Sequence, residues 1–354
     1  MSQEEYAHQE NLINELKGHL FEFFLGHALS QELNCEEQYL FQIHHNPHIK
    51  KNLTIYEREL GRIEKNMPFL IQQLAQSSVK IIQEKLLKEN IQKISGIEFC
   101  GKWIKNDAHS EVKDLKNIKE EADLVLYTSS SSSSSLQDFF IPLSLKLGKK
   151  GSFVNTKNGG VQSFLVKYFD FFSPEKNQLE LNEFLKISNL KMTFQLEKSM
   201  GLELWDKKTQ KEQLEVEGYS LLPGQLPQDM RTILFDYYHE VARRIYLNLC
   251  DYYEKNPAEF TWALLKLCGL TLEGMWQLVC YHHQHHLHRI RLLTERDISE
   301  LLNEGIRMEP IKKGLSSFQI FIGKKENLAL QIRVKPMNEY LSTSLKVNCS
   351  LKEK

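Results

Sequence analysis

Asp123 and Lys146 are the residues whose types and spacing could do chemistry. Asp123 opens a short apolar run, Leu124-Val125-Leu126-Tyr127, and Lys146 is the first charge of a second, Phe139-Phe140-Ile141-Pro142-Leu143-Ser144-Leu145-Lys146. A serine tract, Ser129 to Ser135, lies between them. Short β-prone runs joined by turn-rich residues predict a hairpin. A hairpin would set an Asp at the start of one strand beside a Lys at the end of the next. The carboxylate would offer a hard oxygen ligand to Mg²⁺. The ammonium could hold or help deprotonate an attacking water and offset charge on a phosphate. Such a pair suits hydrolysis of a phosphodiester; an ordinary hairpin with an exposed lysine is the plainer alternative.

The neighbourhood is basic. From Leu143 to Lys167 the chain carries five lysines and no acid. Asn155-Thr156-Lys157-Asn158-Gly159-Gly160 reads as a polar, glycine-rich loop before a helix, where backbone N–H groups can approach a phosphate. Gln162 and Lys167 fall on the helix expected next. The serine tract has nothing to bury and reads as a hairpin loop.

The Asp, the x-Lys ending of the second strand and the stretch SLKLGKKGSFVNTKNGG resemble the PD-(D/E)XK nucleases, the restriction-endonuclease-like superfamily. The resemblance implies an α/β core, a mixed central sheet flanked by helices. It also implies metal-dependent endonuclease activity on DNA, of the type II restriction kind, with Mg²⁺ (or Mn²⁺) as cofactor. Carried over residue by residue, it makes Asp123 and the carbonyl of Leu145 metal ligands and Lys146 the catalytic lysine. The second acid of the family pattern is missing, and Ser144 stands in its place. Glu22, in Gly18-His19-Leu20-Phe21-Glu22, is similar to the first-helix Gly-x-x-x-Glu of many such enzymes and would complete the metal shell; a solvated boundary Glu is the equal alternative. Gln162 would join Asp123, Lys146, Glu22 and Ser144 as a catalytic group. Lys149, Lys150, Asn155, Lys157 and Lys167 would contact nucleic acid.

Composition sets the outer bounds. The chain has 354 residues, a net charge of −1, 41% hydrophobic and 26% charged residues, the profile of a globular protein. Near-zero net charge excludes a global attraction to nucleic acid, so any binding must come from a local patch. Six cysteines are scattered without a C-x-x-C, which fits a reduced, cytoplasmic protein. No signal peptide or membrane-spanning run is evident. DNA is the expected partner, and a homodimer the candidate assembly.

The elements that must position the pair follow from periodicity. Asn11 to Leu33 has helical spacing, and Leu53 to Glu89 reads as one or two helices interrupted near Pro68. Ile94 to Ile104 suits a strand leading to the site, and Asn106 to Glu120 a charged loop. Phe194 to Leu204 and Gln213 to Leu222 could be strands. Leu222-Pro223-Gly224-Gln225-Leu226-Pro227 is the clearest linker. Met230 to Tyr253, Phe260 to Cys268, Leu272 to Leu293 and Glu295 to Asn303 read as helices, the last capped by Thr294. His282 and His286 would share one helix face, a spacing suited to zinc, but no acid within the run completes a site. From Ser317 the chain alternates as a hairpin turned at Gly323-Lys324-Lys325, with another strand at Leu345 to Ser350. From Arg307 to Lys354 there are ten Lys/Arg against four Glu, a basic β tail whose lysines could equally guard a sheet edge. The expected organisation is a nuclease core at 1–175, a mostly helical segment at 176–305 and the β tail at 306–354. The rivals to a nuclease are an inactive nuclease fold that binds nucleic acid, and an effector or interaction protein.

Overall fold

Leu16, Leu20, Phe21, Leu25 and Leu29 recur at helical spacing, and all are buried along the first helix. That helix is the inner member of a layer laid on a sheet. The computed structural model describes residues 3–45, 47–91, 93–100, 118, 121–128, 139–203, 210–219, 223–283, 286–336 and 345–353. The fold is mixed α/β, with one mixed sheet and one antiparallel sheet. The chain divides into two units, each built from two separated segments: Met1–Val154 with Gly269–Ile298, and Asn155–Cys268 with Ser299–Lys354.

The first unit holds the mixed sheet. Its strands β1 (Ile94–Phe99), β2 (Leu124–Thr128), β3 (Phe139–Lys149), β5 (Trp276–His283) and β6 (His286–Leu293) lie side by side in that order. Neighbours are antiparallel except β3 and β5, which run parallel. One face carries Leu124, Leu126, Leu143, Leu145, Leu278 and Cys280, which share a core with helices α1 (Gln3–Glu32), α2 (Glu36–His45), α3 (Pro47–Ile63) and α4 (Met67–Lys88). Residues of opposite parity, Val125, Ser144, Gln277 and Val279, are buried on the other face. Tyr39 locks α2 to α1: it is fully buried, and its hydroxyl donates to the Phe23 carbonyl at 2.9 Å. Gly26 makes room for it, since a Cβ there would lie 2.8 Å from Tyr39 ring carbons.

The second unit holds an antiparallel sheet, β4 (Val154–Gly160), β10 (Leu345–Glu353), β9 (Leu328–Pro336), β8 (Ser317–Ile322) and β7 (Ile306–Met308), in that order. Its helices are α5 (Val161–Tyr168), α6 (Glu175–Met200), α7 (Gln210–Val216), α8 (Gln228–Lys255) and α9 (Pro257–Leu267). Tyr246 of α8 meets Phe318 of β8 edge-on at 5.3 Å, so α8 covers the face bearing Ile320, Ile332 and Val334. α10 (Glu295–Glu304) begins with the expected cap: the Thr294 N–H and hydroxyl both donate to Asp297 Oδ2, at 2.9 and 2.6 Å, a reciprocal N-terminal box.

Several expectations need correction. Leu272 to Leu293 is a hairpin, not a helix. Seven consecutive residues of β5 are buried, and a strand covered on both faces is continuously apolar, which periodicity cannot tell from a buried helix. The expected helical segment 176–305 is therefore broken by two strands of the first sheet. Asn155 to Gly160 is strand β4 rather than a loop; the Thr156 hydroxyl donates to the Leu267 carbonyl at 2.7 Å and ties it down. Phe194 to Met200 continues α6, and Gln213 to Val216 is helical. Glu, Lys, Leu and Met dominate these stretches and favour helix. α6 stops at Gly201, in the left-handed region at φ 68. The hairpin beginning at Ser317 and the strand at Leu345 form as expected. The serine tract, nearly all of Asn106 to Glu120 and residues 101–104 lie outside the described residues.

All six cysteines are free thiols. Among the described residues no helix is long and apolar enough to cross a membrane.

Gly26→Ala should destabilise the protein. Ala favours helix over Gly by about 1 kcal/mol, but overpacking against a fixed buried ring costs about 1–3 kcal/mol. A fall in the urea midpoint is expected; an unchanged or raised midpoint would show that the Tyr39 ring can yield.

Candidate active site

Asp123 lies one residue ahead of β2, and both its backbone groups are tied. Its N–H donates to the Leu143 carbonyl at 2.8 Å, and its carbonyl accepts the Cys100 N–H at 3.1 Å. β2 has 5 residues and β3 has 11, with Leu124 opposite Leu143. From Ser144 onward β3 has no β2 residue opposite it. The Asp123 side chain takes over: its Oδ2 accepts the Leu145 N–H at 2.6 Å. A hydrogen bond from a backbone amide to a charged acceptor contributes about 1.5–3 kcal/mol.

Lys146, one residue further along β3, brings its Nζ to 3.7 Å from the same Oδ2. The structure thus brings Asp123 and Lys146 together across the strands. Their side chains are 25% and 23% exposed, open enough to be reached from solvent. At that exposure the ion pair contributes about 1 kcal/mol or less to stability. Both interactions fall on Oδ2.

Ser144, two residues before Lys146, shares its sheet face and is 5% exposed. Its cross-strand neighbour is Gln277 of β5. Gln277 is fully buried, and neither its Oε1 nor its Nε2 has a hydrogen-bond partner among the described residues. Gly269 presses against it: at φ 103, a Cβ on Gly269 would clash with the Gln277 amide. An unpaired buried amide is costly. Nearby, the Thr271 hydroxyl donates to Glu121 Oε2 at 3.2 Å, which ties the chain ahead of Asp123 to the segment entering β5.

Glu22 Oε2 lies 3.5 Å from His19 Nδ1, and the Glu22 negative charge helps to raise the hydroxyl pKa of Tyr39 and Tyr56, behind the larger effect of burial. These partners belong to the helical layer, whereas Ser144 and Lys146 alternate to the opposite face of the sheet. The partners that the structure gives Glu22 are therefore those of the helical layer. Leu145 faces the helical layer with its side chain.

Lys149 ends β3 with the parity of Leu145 and Leu147, and Lys150 begins the turn after it; both are exposed. Gln162, Asn155, Lys157 and Lys167 belong to the second unit. There Gln162 donates to Gln178 Oε1 at 3.0 Å, and Lys167 lies 5.6 Å from the centre of the Tyr168 ring. Asn155, with its amide turned to face acceptors, donates to the Cys349 carbonyl at 2.9 Å. Lys157 is close enough to Cys349 to counter part of the burial that pushes its thiol up to about 12.

His282 and His286 lie on the two strands of a hairpin, so the shared helix face is lost; His282 is buried and His286 is exposed. Among the described residues no three or more His, Cys, Asp or Glu side chains gather to hold a metal. Sequence reasoning missed Gln277. Its one signal was a lone amide within the apolar run Trp276 to Tyr281, hidden by reading that run as a helix.

Gln277→Leu tests whether the amide is structurally idle. Replacing an unpaired buried amide by an apolar group of similar size should be neutral or stabilising. The melting temperature is expected to hold or rise; a large fall would mean that the amide is paired through buried water.

No protein-family model matches the chain, and no curated protein matches it.

Proposed function

We propose that the first unit is the catalytic core of a metal-dependent endonuclease that hydrolyses DNA phosphodiester bonds, of the restriction type that the sequence resembles. The observation that carries this reading is the 3.7 Å approach of Lys146 Nζ to Asp123 Oδ2, where the start of β2 meets the second half of antiparallel β3. The ion pair itself contributes about 1 kcal/mol or less to folding; Asp123 also completes the strand ladder through the Leu145 N–H, so the functional reading rests on the placing of Lys146 beside it. The Asp opening one strand and the x-Lys on the next are the two positions on which the resemblance rests.

The donor set fits a small hard cation. Mg²⁺ takes one or two carboxylates and fills its remaining positions with neutral oxygens, waters and substrate phosphate. Asp123 would supply the carboxylate, and Ser144 and the Leu145 carbonyl would supply neutral oxygen. When bound, the cation would neutralise phosphate charge and lower the pKa of an attacking water. Lys146 has a separate role. It orients the nucleophilic water and stabilises charge developing on the phosphate oxygens. The Leu145 N–H holds the Asp123 carboxylate in place, which limits reorganisation on binding.

Ser144 favours a second reading, an inactive nuclease fold that binds DNA without cutting. A hydroxyl is a weaker metal ligand than the carboxylate expected there.

Cleavage of plasmid and oligonucleotide DNA with Mg²⁺ or Mn²⁺ separates the two. Asp123→Asn and Lys146→Ala should each reduce cleavage by at least about 100-fold, by the scale of losing one electrostatic stabiliser, while circular dichroism stays native. Ser144→Ala should be milder, and Ser144→Glu should tighten Mn²⁺ binding measured by calorimetry. Equal cutting by wild type and Asp123→Asn would sink the assignment of the site. Binding without any cutting by wild type would favour the inactive fold.

A further inference from the structure

The two faces of the second sheet differ sharply. α8 covers the face of Ile332, Val334, Val347 and Cys349, all buried. On the other face, register places Lys346 of β10 directly opposite Lys335 of β9. Arg333 follows on the same face, opposite Asn348 on one side and Ser317 on the other. Like charges directly opposite across strands destabilise a sheet. The cluster is also partly desolvated: burial first, then Lys346 and Arg333, push the Lys335 ammonium pKa down.

Among the described residues no acid relieves this cluster: this face of β8, β9 and β10 carries no Asp or Glu beside it. Glu326 pairs with Arg307, and Glu309 lies 4.0 Å from Lys312. Beside the cations stand Gln319, Gln331 and Asn348, and the Asn348 Oδ1 is buried without a partner among the described residues. Retaining three cations at the cost of sheet stability points to an anionic ligand.

We propose that this face, centred on Arg333, Lys335 and Lys346, holds the sugar–phosphate backbone of nucleic acid. The proposal rests on the nuclease reading for the kind of anion, and on the sheet register for the place. The side chains fit that partner. Arg, Lys, Ser, Asn and Gln are the groups that position proteins on phosphate and sugar oxygens. The centre of the patch lacks the aromatic or aliphatic anchor that a protein interface would need. Two cations on one strand face, two residues apart, stand roughly 7 Å from each other, so a backbone can be held at successive points without reading sequence.

The test is fluorescence anisotropy of a labelled duplex oligonucleotide in EDTA, with KCl raised in steps. The proteins are wild type, Asp123→Asn, and a triple variant carrying Arg333→Gln, Lys335→Gln and Lys346→Gln. Wild type should bind with log affinity falling linearly against log salt, and Asp123→Asn should bind at least as tightly, since it removes a negative charge from the proposed phosphate site. The triple variant should lose at least about tenfold in affinity at low salt, and its salt slope should shrink by about 2–3, since each phosphate contact contributes roughly 0.9. Its melting temperature should rise, because repulsion is relieved, a change that a merely structural role would reverse. A charge-keeping variant, Arg333→Lys with Lys335→Arg and Lys346→Arg, should bind like wild type and guards against misfolding. If wild type binds but the triple variant matches it in affinity and slope, this face is not the contact and only this inference fails. If wild type neither binds nor cuts DNA, the nuclease reading fails and takes this inference with it. Binding of polyglutamate in preference to DNA would assign the face to an acidic protein instead.

Discussion

Strand β3 is longer than the partner on its β2 side, and the candidate site depends on that mismatch. Where β2 ends, the Leu145 amide would be left with an open bond in the middle of a sheet. The Asp123 carboxylate fills it at 2.6 Å. A side chain recruited to finish a backbone ladder has little freedom left. Its position is fixed by strand pairing, not by the loop ahead of it. Lys146 inherits that precision because it stands next to Leu145 on the same strand. The charge pair is therefore built on paired strands, where a reactive constellation is best held.

The sheet also separates two environments. On the helical side, α1 and its neighbours bury Leu143 and Leu145 in a continuous apolar core. On the other side, the same strands place a hydroxyl, an ammonium and an unpaired amide within two residues of each other along the register. Alternation along β3 does this sorting: Ser144 and Lys146 are polar, whereas Leu143, Leu145 and Leu147 are apolar. Gly269 is part of the same arrangement, because only a residue without a Cβ lets the chain lie against Gln277.

The Asp123–Lys146 hairpin was legible because its strands are short, β-prone and punctuated by turn residues. The helices at the N-terminus and from Gln228 to Lys255 were legible from spacing alone, as was the cap at Thr294. β5 was not legible, since a central strand buried on both faces has no alternation to read, and the following histidines mimicked a helix face. β4 was missed for a different reason. Asn155 to Gly160 has turn composition, and only pairing with β10, from the far end of the chain, makes it a strand. Glu22 shows the limit of motif spacing: a Gly-x-x-x-Glu on a first helix fixes the helix face, not the partners, such as His19, that the carboxylate meets. The missing second acid was visible as Ser144, but its neighbour Gln277 could be found only through a pairing of distant strands.

The two-segment construction of each unit bears on how the chain is made. During synthesis β1, β2 and β3 emerge with one flank of β3 unpaired, because β5 follows only after the whole of 155–268. An apolar strand edge held open for that time is an invitation to mispairing and aggregation. The parallel β3–β5 contact is also distant in sequence, the kind of closure that slows folding. The nascent chain thus carries an incomplete first sheet from the end of β3 at Lys149 until β5 begins at Trp276. Slow passage of the ribosome through the intervening segment would lengthen the exposure.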